Sequence, residues 1–272
     1  MTDALMADDQ LTSLLAEIPA EGDEAPPRIV VGLHKSGSTM VTGLFTRLLK
    51  SLDLPLANLA RMMHQRDIPP RIWENDPRMA QVFRPGVSYV GFRGLPKFMD
   101  ADFIAASRMI VLVRDPRDAL VSGFFSFGPG GSHVRPPGEQ LRAEQDAARK
   151  EDEGLDIDQW VIKHAVRFGK QFRDILPLKS MPTVKIYRYE DVLFDKVTFL
   201  KDALAHLDVK CPLPRIQRIV DREAPLPTVE NPKVHIRKAT PGDHRAKLRP
   251  ETIAELDRLL ADVLAGFDYS RT

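Results

Sequence analysis

Residues 28–40 read RIVVGLHKSGSTM, a β-branched run followed by a loop with two glycines and the first residues of a helical pattern. The run at 28–31 predicts a buried strand, and apolar residues then recur at helical spacing from residue 38 to residue 52. Ser36 or Ser38 can cap the first turn of that helix. A loop that leaves a strand and enters a helix points several backbone N–H groups at one spot, where the helix dipole also favours an anion. The stretch therefore predicts a phosphate-binding loop.

The position of the lysine in this loop is unusual. The two glycines are spaced as in a Walker A loop, in which a lysine follows the second glycine. Here Ser38 follows Gly37, and the lysine comes earlier, at Lys35. This difference weighs against an ordinary nucleotide triphosphate site. A glycine–serine turn that only connects a strand to a helix is the alternative interpretation.

Three further runs of β-branched and aromatic residues predict buried strands at 87–92, 109–113 and 183–188. Helical patterns lie between and after them, at 116–127, 156–175 and 250–267. Strands that alternate with helices are typical of a parallel sheet. We therefore predict an α/β fold of three layers, with a central, mainly parallel sheet and a P-loop-like strand–loop–helix unit.

Changes in composition along the sequence indicate how the chain is organised. Residues 1–25 form an acidic stretch that predicts an N-terminal tail or one short helix, and residues 26–272 predict a single α/β domain. Glycine and proline at the start of 128–154 predict a mobile loop or lid there. Residues 224–248 combine four prolines with several basic residues and predict a basic loop without regular structure.

Composition also limits the partners. The 272 residues are 43% hydrophobic and 28% charged, with 39 Lys and Arg against 38 Asp and Glu, which favours a soluble globule and gives no case for nucleic acid as a partner. One cysteine, Cys211, excludes an internal disulfide framework and favours a reducing, cytoplasmic compartment. The N-terminus lacks a signal-peptide pattern, and no apolar run approaches the roughly 18 residues of a transmembrane segment. Nothing in the sequence indicates an oligomeric state.

The loop is similar to a known phosphosulfate-binding loop. Lys35-Ser-Gly-Ser-Thr39 after a hydrophobic strand resembles the 5′-phosphosulfate loop of the sulfotransferases that use PAPS (3′-phosphoadenosine-5′-phosphosulfate). The resemblance implies that Lys35 contacts the transferring group. Sulfuryl transfer needs the charge that develops on the leaving phosphate to be neutralised, and a lysine can do this without a metal. The residues that the resemblance implies for this loop are Lys35, Ser36, Gly37, Ser38 and Thr39.

Two more stretches match motifs of the same family in the same order. Residues 108–125, RMIVLVRDPRDALVSGFF, resemble its 3′-phosphate motif, in which Arg114 and Ser122 are the matching positions. An arginine at the carboxyl end of a strand and a hydroxyl on the next helix can both contact a phosphate above the sheet edge. An ion pair of Arg114 with Asp115, Asp118 or a neighbouring helix is the alternative interpretation. Residues 185–191, KIYRYED, resemble its strand-end motif, and the resemblance implies that Tyr189 lies near the adenine.

The basic loop provides a fourth match, which is incomplete. Asn231-Pro232 and the residues that follow resemble the late segment whose arginine and lysine hold the 3′-phosphate. Arg237 and Lys238 are the matching positions, whereas Ala239 and His244 depart from the family pattern. A solvated basic loop is the alternative interpretation of this segment.

The general base is the point at which the resemblance fails. In the cytosolic branch of the family a histidine follows the second strand, and Gly94 occupies that position here. The chain is therefore not closely similar to that branch. Arg93 is expected to replace the branch's lysine near the sulfonate. His133, in the predicted lid, is expected to contact the acceptor.

Other residues remain as candidates for the base. His64 is the first choice, because an ordinary imidazole pKa of about 6.5 leaves a neutral fraction at neutral pH. Glu74 and Asp67 come next. His34 is also a candidate, but a bound polyanion stabilises its charged form, which makes it a better anion ligand than a base.

These observations predict the transfer of a sulfuryl group from PAPS, with PAP as the product, to an acceptor hydroxyl or amine of a small molecule, lipid or glycan. The expected mechanism is an in-line displacement that is assisted by a general base and requires no metal. One alternative is a magnesium-dependent P-loop phosphotransferase with Asp115 as the metal ligand. The serine at position 38, where such an enzyme has a lysine, weighs against it. The other is a nucleotide-binding module without catalytic activity, which the glycine at position 94 suggests.

Overall fold

A computed structural model describes residues 5–20, 22–133, 135–222 and 241–270. One five-stranded sheet lies at its centre, in the order β2-β3-β1-β4-β5, and all neighbouring strands are parallel. The predicted α/β class with a central parallel sheet is confirmed. The strands are β1 (Arg28–Gly32), β2 (Leu56–Asn58), β3 (Ser88–Phe92), β4 (Arg108–Val113) and β5 (Val184–Arg188).

Helices connect the strands and cover the sheet. The helix predicted at 116–127 is present, whereas the one predicted at 250–267 is interrupted at Leu260 and forms two helices. Two short 3-10 helices lie at Pro77–Val82 and Leu176–Ser180. The α-helices are α1 (Asp8–Glu17), α2 (Ser38–Ser51), α3 (Leu59–Gln65), α4 (Pro70–Trp73), α5 (Ala101–Ala105), α6 (Pro116–Phe127), α7 (Glu139–Glu151), α8 (Ile157–Ile175), α9 (Tyr189–Val192), α10 (Lys196–His206), α11 (Leu213–Asp221), α12 (Asp243–Lys247), α13 (Pro250–Leu259) and α14 (Ala261–Gly266).

The central strand β1 separates two hydrophobic clusters. Ile29 and Val31 pack into one cluster together with Phe172 of α8. Val30 packs into the other together with Leu44 of α2. Because successive side chains of a strand point to opposite faces, a strand that is buried on both faces needs helices on both, and the three-layer arrangement follows.

The N-terminal helix packs into the first of these clusters. Met6, Leu11, Leu14 and Ile18 are buried there beside the β1 side chains. The short helix expected within residues 1–25 is therefore present as α1, and its apolar side chains belong to the core of the domain. A separate tail would leave this apolar face in water, at a cost of roughly 25 cal/mol for each Å².

The stretch 128–154, expected as a mobile loop, contains helix α7 from Glu139 to Glu151. The glycines and prolines that motivated the prediction all precede residue 139 or follow residue 151, and the residues between them are strong helix formers. Asp67 caps this helix, since its carboxylate accepts the N–H groups of Gln140 at 2.9 Å and Leu141 at 3.0 Å. The prediction of irregular structure is therefore wrong for residues 139–151.

Arg28, the first residue of β1, is buried and holds three distant segments together. Its guanidinium donates to the carbonyl of Leu207 at 3.0 Å and to the carbonyl of Gly86 at 2.7 Å. It also pairs with the carboxylate of Asp23 at 2.7 Å. These bonds satisfy a charged group that would otherwise be costly to bury.

Candidate active site

The loop at the carboxyl end of β1 is anchored to the strands on both sides. The N–H of Leu33 donates to the carbonyl of Leu112 in β4 at 3.1 Å. The N–H of His34 donates to the carbonyl of Arg93, just past β3, at 3.1 Å. Gly37 is the N-cap of α2, and no described side chain caps this helix. The positive end of the helix dipole therefore faces the loop, where it favours an anion.

Two features of the loop backbone suit a bound anion. Ser36 is fully buried, and its hydroxyl has no hydrogen-bond partner among the described residues. Gly37 has a φ of 84°, and a Cβ at this position would lie 2.7 Å from a ring carbon of Tyr189. Only glycine therefore lets the tyrosine ring lie against the loop.

Arg114 follows β4 and is only 6% exposed. Its guanidinium lies 4.9 Å from the centre of the Tyr189 ring, and one terminal nitrogen donates to the carbonyl of Lys35 at 3.4 Å. Its Nε is buried without a hydrogen-bond partner among the described atoms. A buried guanidinium with an unused donor fits an anionic ligand. Ser122 is half-buried and lies one helical turn beyond Asp118, a neighbour of Arg114.

A second group of side chains surrounds Lys35. The Lys35 ammonium lies 5.5 Å from the centre of the Phe127 ring, and the His34 ring lies 6.2 Å from the same centre. The ring of His133 lies 4.8 Å from the Phe127 ring, centre to centre, at an angle of 58°. Arg93 donates to the hydroxyl of Ser38 at 2.6 Å. Arg93 thus lies at the phosphate-binding loop, and His133 lies beside Phe127; their roles at the sulfonate and at the acceptor stay predictions.

The electrostatics of this group keep His34 neutral. Desolvation, the larger cause, and nearby positive charges together lower the pKa of His34 to about 3. A bound polyanion would offset the charges and raise the pKa toward its ordinary value. The cations, in order of effect, are Arg93, Lys35, His133 and Arg167.

The other candidates for the base lie in different environments. Glu74 ends α4, and burial raises the pKa of its carboxyl to about 7. The N–H groups of Leu141 and Gln140 lower the pKa of Asp67, which is the cap of α7. His64 is exposed and lies in the last turn of α3.

Asp115, the metal ligand of the alternative phosphotransferase, is already engaged. Its carboxylate accepts the backbone N–H of Arg117 at 2.9 Å and pairs with the Arg117 guanidinium at 2.7 Å. In the described ranges, no group of three or more His, Cys, Asp or Glu side chains is placed to hold a metal ion. None of the described helices is both long enough and apolar enough to cross a membrane.

Arg237 and Lys238 lie outside the described residues. The described chain resumes at residue 241, and two of its next residues bond to Asp118 on α6. The N–H of Gly242 donates to this carboxylate at 2.7 Å, and Nδ1 of His244 lies 2.6 Å from it. The sequence indicates Asp118 as an ion-pair partner of Arg114, but not its bonds to Gly242 and His244.

Comparison with known proteins agrees with this geometry. The sequence profile of the sulfotransferase domain matches residues 26–268. No curated protein sequence matches at a significant level. Mouse sulfotransferase SULT7A1 complexed with PAP is a structural neighbour, with a TM-score of 0.57 and 15% identity over 96% of this chain and 93% of its own.

Retinol dehydratase, in complex with androsterone and the inactive cofactor PAP, is a second neighbour. Its TM-score is 0.55 at 16% identity, and the match covers 94% of this chain and 85% of that one. At these identities the two neighbours support the fold, whereas the domain profile extends over nearly the whole chain. The chain therefore belongs to the family of PAPS-dependent sulfotransferases.

Proposed function

We propose that this enzyme binds PAPS with its phosphosulfate at the loop after β1 and transfers the sulfuryl group to an acceptor hydroxyl or amine, leaving PAP. The observation that carries the proposal is a pair of buried polar atoms, the Ser36 hydroxyl and Arg114 Nε, that have no hydrogen-bond partner in the described part of the chain. They lie beside a helix N-terminus that is capped by no described side chain. Buried polar groups are rarely left without partners, so the two atoms indicate an anionic ligand.

The residues divide into two sides of one cleft. The donor side comprises Ser36, Gly37, Arg114 and Tyr189, which lie at the carboxyl ends of β1, β4 and β5. Their backbone, hydroxyl and guanidinium groups suit phosphates, and the tyrosine ring suits a flat base. PAP in the two structural neighbours supports this assignment.

The acceptor side comprises His34, Arg93, Phe127 and His133. Lys35 stands between the two sides, where its ammonium can neutralise the charge that develops on the leaving phosphate. Phe127 offers an apolar surface next to Lys35, which suits the ring or chain of a small molecule, a lipid or a glycan aglycone. Androsterone in the retinol dehydratase structure supports a small organic acceptor.

We propose His34 as the general base, ahead of His64. The imidazole of His34 adjoins Lys35, and its backbone N–H is held by the carbonyl of Arg93 and by the side chain of Gln171 at 3.1 Å. It is neutral before the donor binds, which is the form that accepts a proton. The charge of a bound phosphosulfate would raise the His34 pKa from about 3 toward neutrality, where a base is most effective.

Ser36→Ala tests the donor site, with Ser88→Ala as the matched control. Both serines are buried and both hydroxyls lack a partner, but Ser88 begins β3 at the opposite end of the sheet. We expect Ser36→Ala to weaken PAP binding about tenfold in calorimetry, because one hydrogen bond to a charged group is lost, and Ser88→Ala to leave it unchanged. Equal affinities in both variants and the wild type would contradict the proposal.

Transfer itself is measured with radiolabelled PAPS and a panel of phenols, steroids and glycans, with and without EDTA. We expect labelled product in both conditions. Labelled product that disappears with EDTA, together with transfer from ATP, would favour the phosphotransferase. PAP binding without any product across the panel would favour the module without catalytic activity, which the glycine at position 94 suggests.

A further inference from the structure

Asp118 and His244 form a buried pair that the donor site does not include. The two side chains are 0% and 2% exposed. One carboxylate oxygen of Asp118 lies 2.6 Å from Nδ1 of His244 and accepts the His244 backbone N–H at 2.9 Å. The other oxygen accepts the backbone N–H of Gly242 at 2.7 Å. Three hydrogen bonds from residues 242–244 therefore hold one carboxylate of α6.

The same carboxylate faces Arg114 on its other side. The nearest guanidinium nitrogen lies 3.7 Å from an Asp118 oxygen, which is longer than a direct hydrogen bond. Burial by itself would raise the pKa of Asp118, but the hydrogen bond from His244 and the charge of Arg114 outweigh it and lower the pKa to about 2. Asp118 is therefore ionised and attracts Arg114, yet the Arg114 Nε has no hydrogen-bond partner within the described ranges.

The lone pairs of Asp118 explain this intermediate distance. Three of about four acceptor positions are taken by Gly242 and His244, so the carboxylate cannot also form a two-pronged pair with Arg114. Without these donors, Asp118 would be free to close on the guanidinium. It would then compete as an anion with a phosphate for the same nitrogen atoms.

We propose that Asp118 and His244 are positioning residues that keep Arg114 available to the 3′-phosphate of the donor. This inference rests on the proposed function. His244 bonds to the Asp118 carboxylate and fills acceptor positions on it. Asp118 then holds Arg114 in place without neutralising it. The family pattern has another residue type at position 244, so the pair is a property of this chain.

The tautomer of His244 supports the same role. Because Asp118 is ionised, Nδ1 of His244 must carry the hydrogen of their short bond. Nε2 is buried without a partner among the described residues. Only the Nδ1 side of the ring therefore contributes, and an asparagine, whose amide nitrogen reaches that position, should substitute for it. A glutamine places its amide near Nε2 and should not.

The experiment compares the affinity for PAP with that for AMP, which lacks the 3′-phosphate, by calorimetry. We expect His244→Gln to weaken PAP binding about tenfold, the effect of one hydrogen bond to a charged group, with AMP affinity changed less than about twofold. His244→Asn should retain the wild-type preference for PAP. Asp118→Asn should remove most of the effect of His244→Gln, because the competing anion is then absent.

His164→Ala is the matched control. His164 also bonds to a buried aspartate, Asp152, at 2.9 Å, but this pair joins α7 to α8. We expect the control to lower the melting temperature without changing the preference for PAP over AMP. Equal losses of PAP and AMP in His244→Gln, unchanged PAP affinity, or the same loss of preference in His164→Ala would overturn the positioning role. A wild type that does not prefer PAP would refute the proposed donor instead.

Discussion

The two sides of the cleft are built by different means. On the donor side, Ser36, Arg114 and Tyr189 lie at or next to the carboxyl ends of neighbouring parallel strands, so the sheet register places them. On the acceptor side, Arg93 and His133 come from segments that follow a strand and a helix, and ring contacts and hydrogen bonds hold them. The donor side is thus part of the fold, whereas the acceptor side can vary without disturbing it.

Lys35→Ala tests the residue at which the two sides meet, and it should have the largest effect. We expect turnover to fall about 10³-fold, because the leaving phosphate loses its neutralising charge, while PAP affinity falls less than about tenfold. Single-turnover transfer from labelled PAPS and calorimetry with PAP measure the two quantities. Lys179→Ala, at an exposed lysine far along the chain, is the control.

The comparison fails if Lys35→Ala shows the result expected for Arg114→Ala, a large loss of PAP affinity with little change in turnover. Such a result would mean that the lysine only binds the donor.

Arg114→Ala should act on the donor side alone. We expect PAP affinity to fall about 10²-fold, since a buried guanidinium loses its charge-assisted bonds to a phosphate. Turnover at saturating PAPS should change less than about fivefold. Steady-state measurements of KM for PAPS and of kcat separate these effects. A fall in kcat with an unchanged KM would place Arg114 in the chemical step.

His34→Ala should act on the acceptor side alone. We expect turnover to fall about 10²-fold with PAP affinity retained, as for the loss of a general base, whereas His64→Ala should leave the rate unchanged. Gly94→His provides a rescue, because a Cβ at position 94 meets no described atom within 4 Å. Partial recovery of turnover in the double variant would support proton transfer. The opposite ranking of His34 and His64 would restore the sequence-based choice.

Glu74→Gln should have the smallest effect, and on stability more than on transfer. Burial raises the pKa of Glu74 in the folded enzyme to about 7, above its ordinary value. As the pH rises, the carboxyl therefore ionises first in the unfolded chain. The free energy of unfolding falls as the pH rises from the unfolded-state pKa to the folded-state pKa. Above about pH 7 the folded protein holds a half-buried charge, which glutamine removes.

The variant should therefore melt about 2–4 °C higher than the wild type at pH 8 and equally at pH 4. Thermal melts at both values measure this. A loss of turnover as large as that of His34→Ala would instead identify Glu74 as the base.

The sequence predicts the donor side better than the rest because strong local patterns determine it. The strand at 28–32, the loop lysine and Arg114 all follow from runs of β-branched residues and their ends. Strand β2, in contrast, has only three residues, too few to show an alternating pattern. Helix α7 was missed because its glycine- and proline-rich flanks outweighed its own helix-forming residues.

The positioning pair shows a different limit. Asp118 and His244 are 126 positions apart, and no periodic pattern connects such distant residues. The proposal of His34 as the base rests on contacts of the same long-range kind. Desolvation lowers the pKa of His34 most, and the charges of Arg93, His133 and Arg167, which the fold brings together from three separate segments, lower it too.

The buried arginine at the start of β1 has a consequence for how the chain is synthesised. Arg28 belongs to the first strand to leave the ribosome, but one of its partners is the carbonyl of Leu207, 179 positions later. Until that carbonyl emerges, closing the sheet around β1 would bury a guanidinium with an unused donor. We therefore expect nascent chains that end before α10 to remain open, so that the domain completes its central strand late in translation.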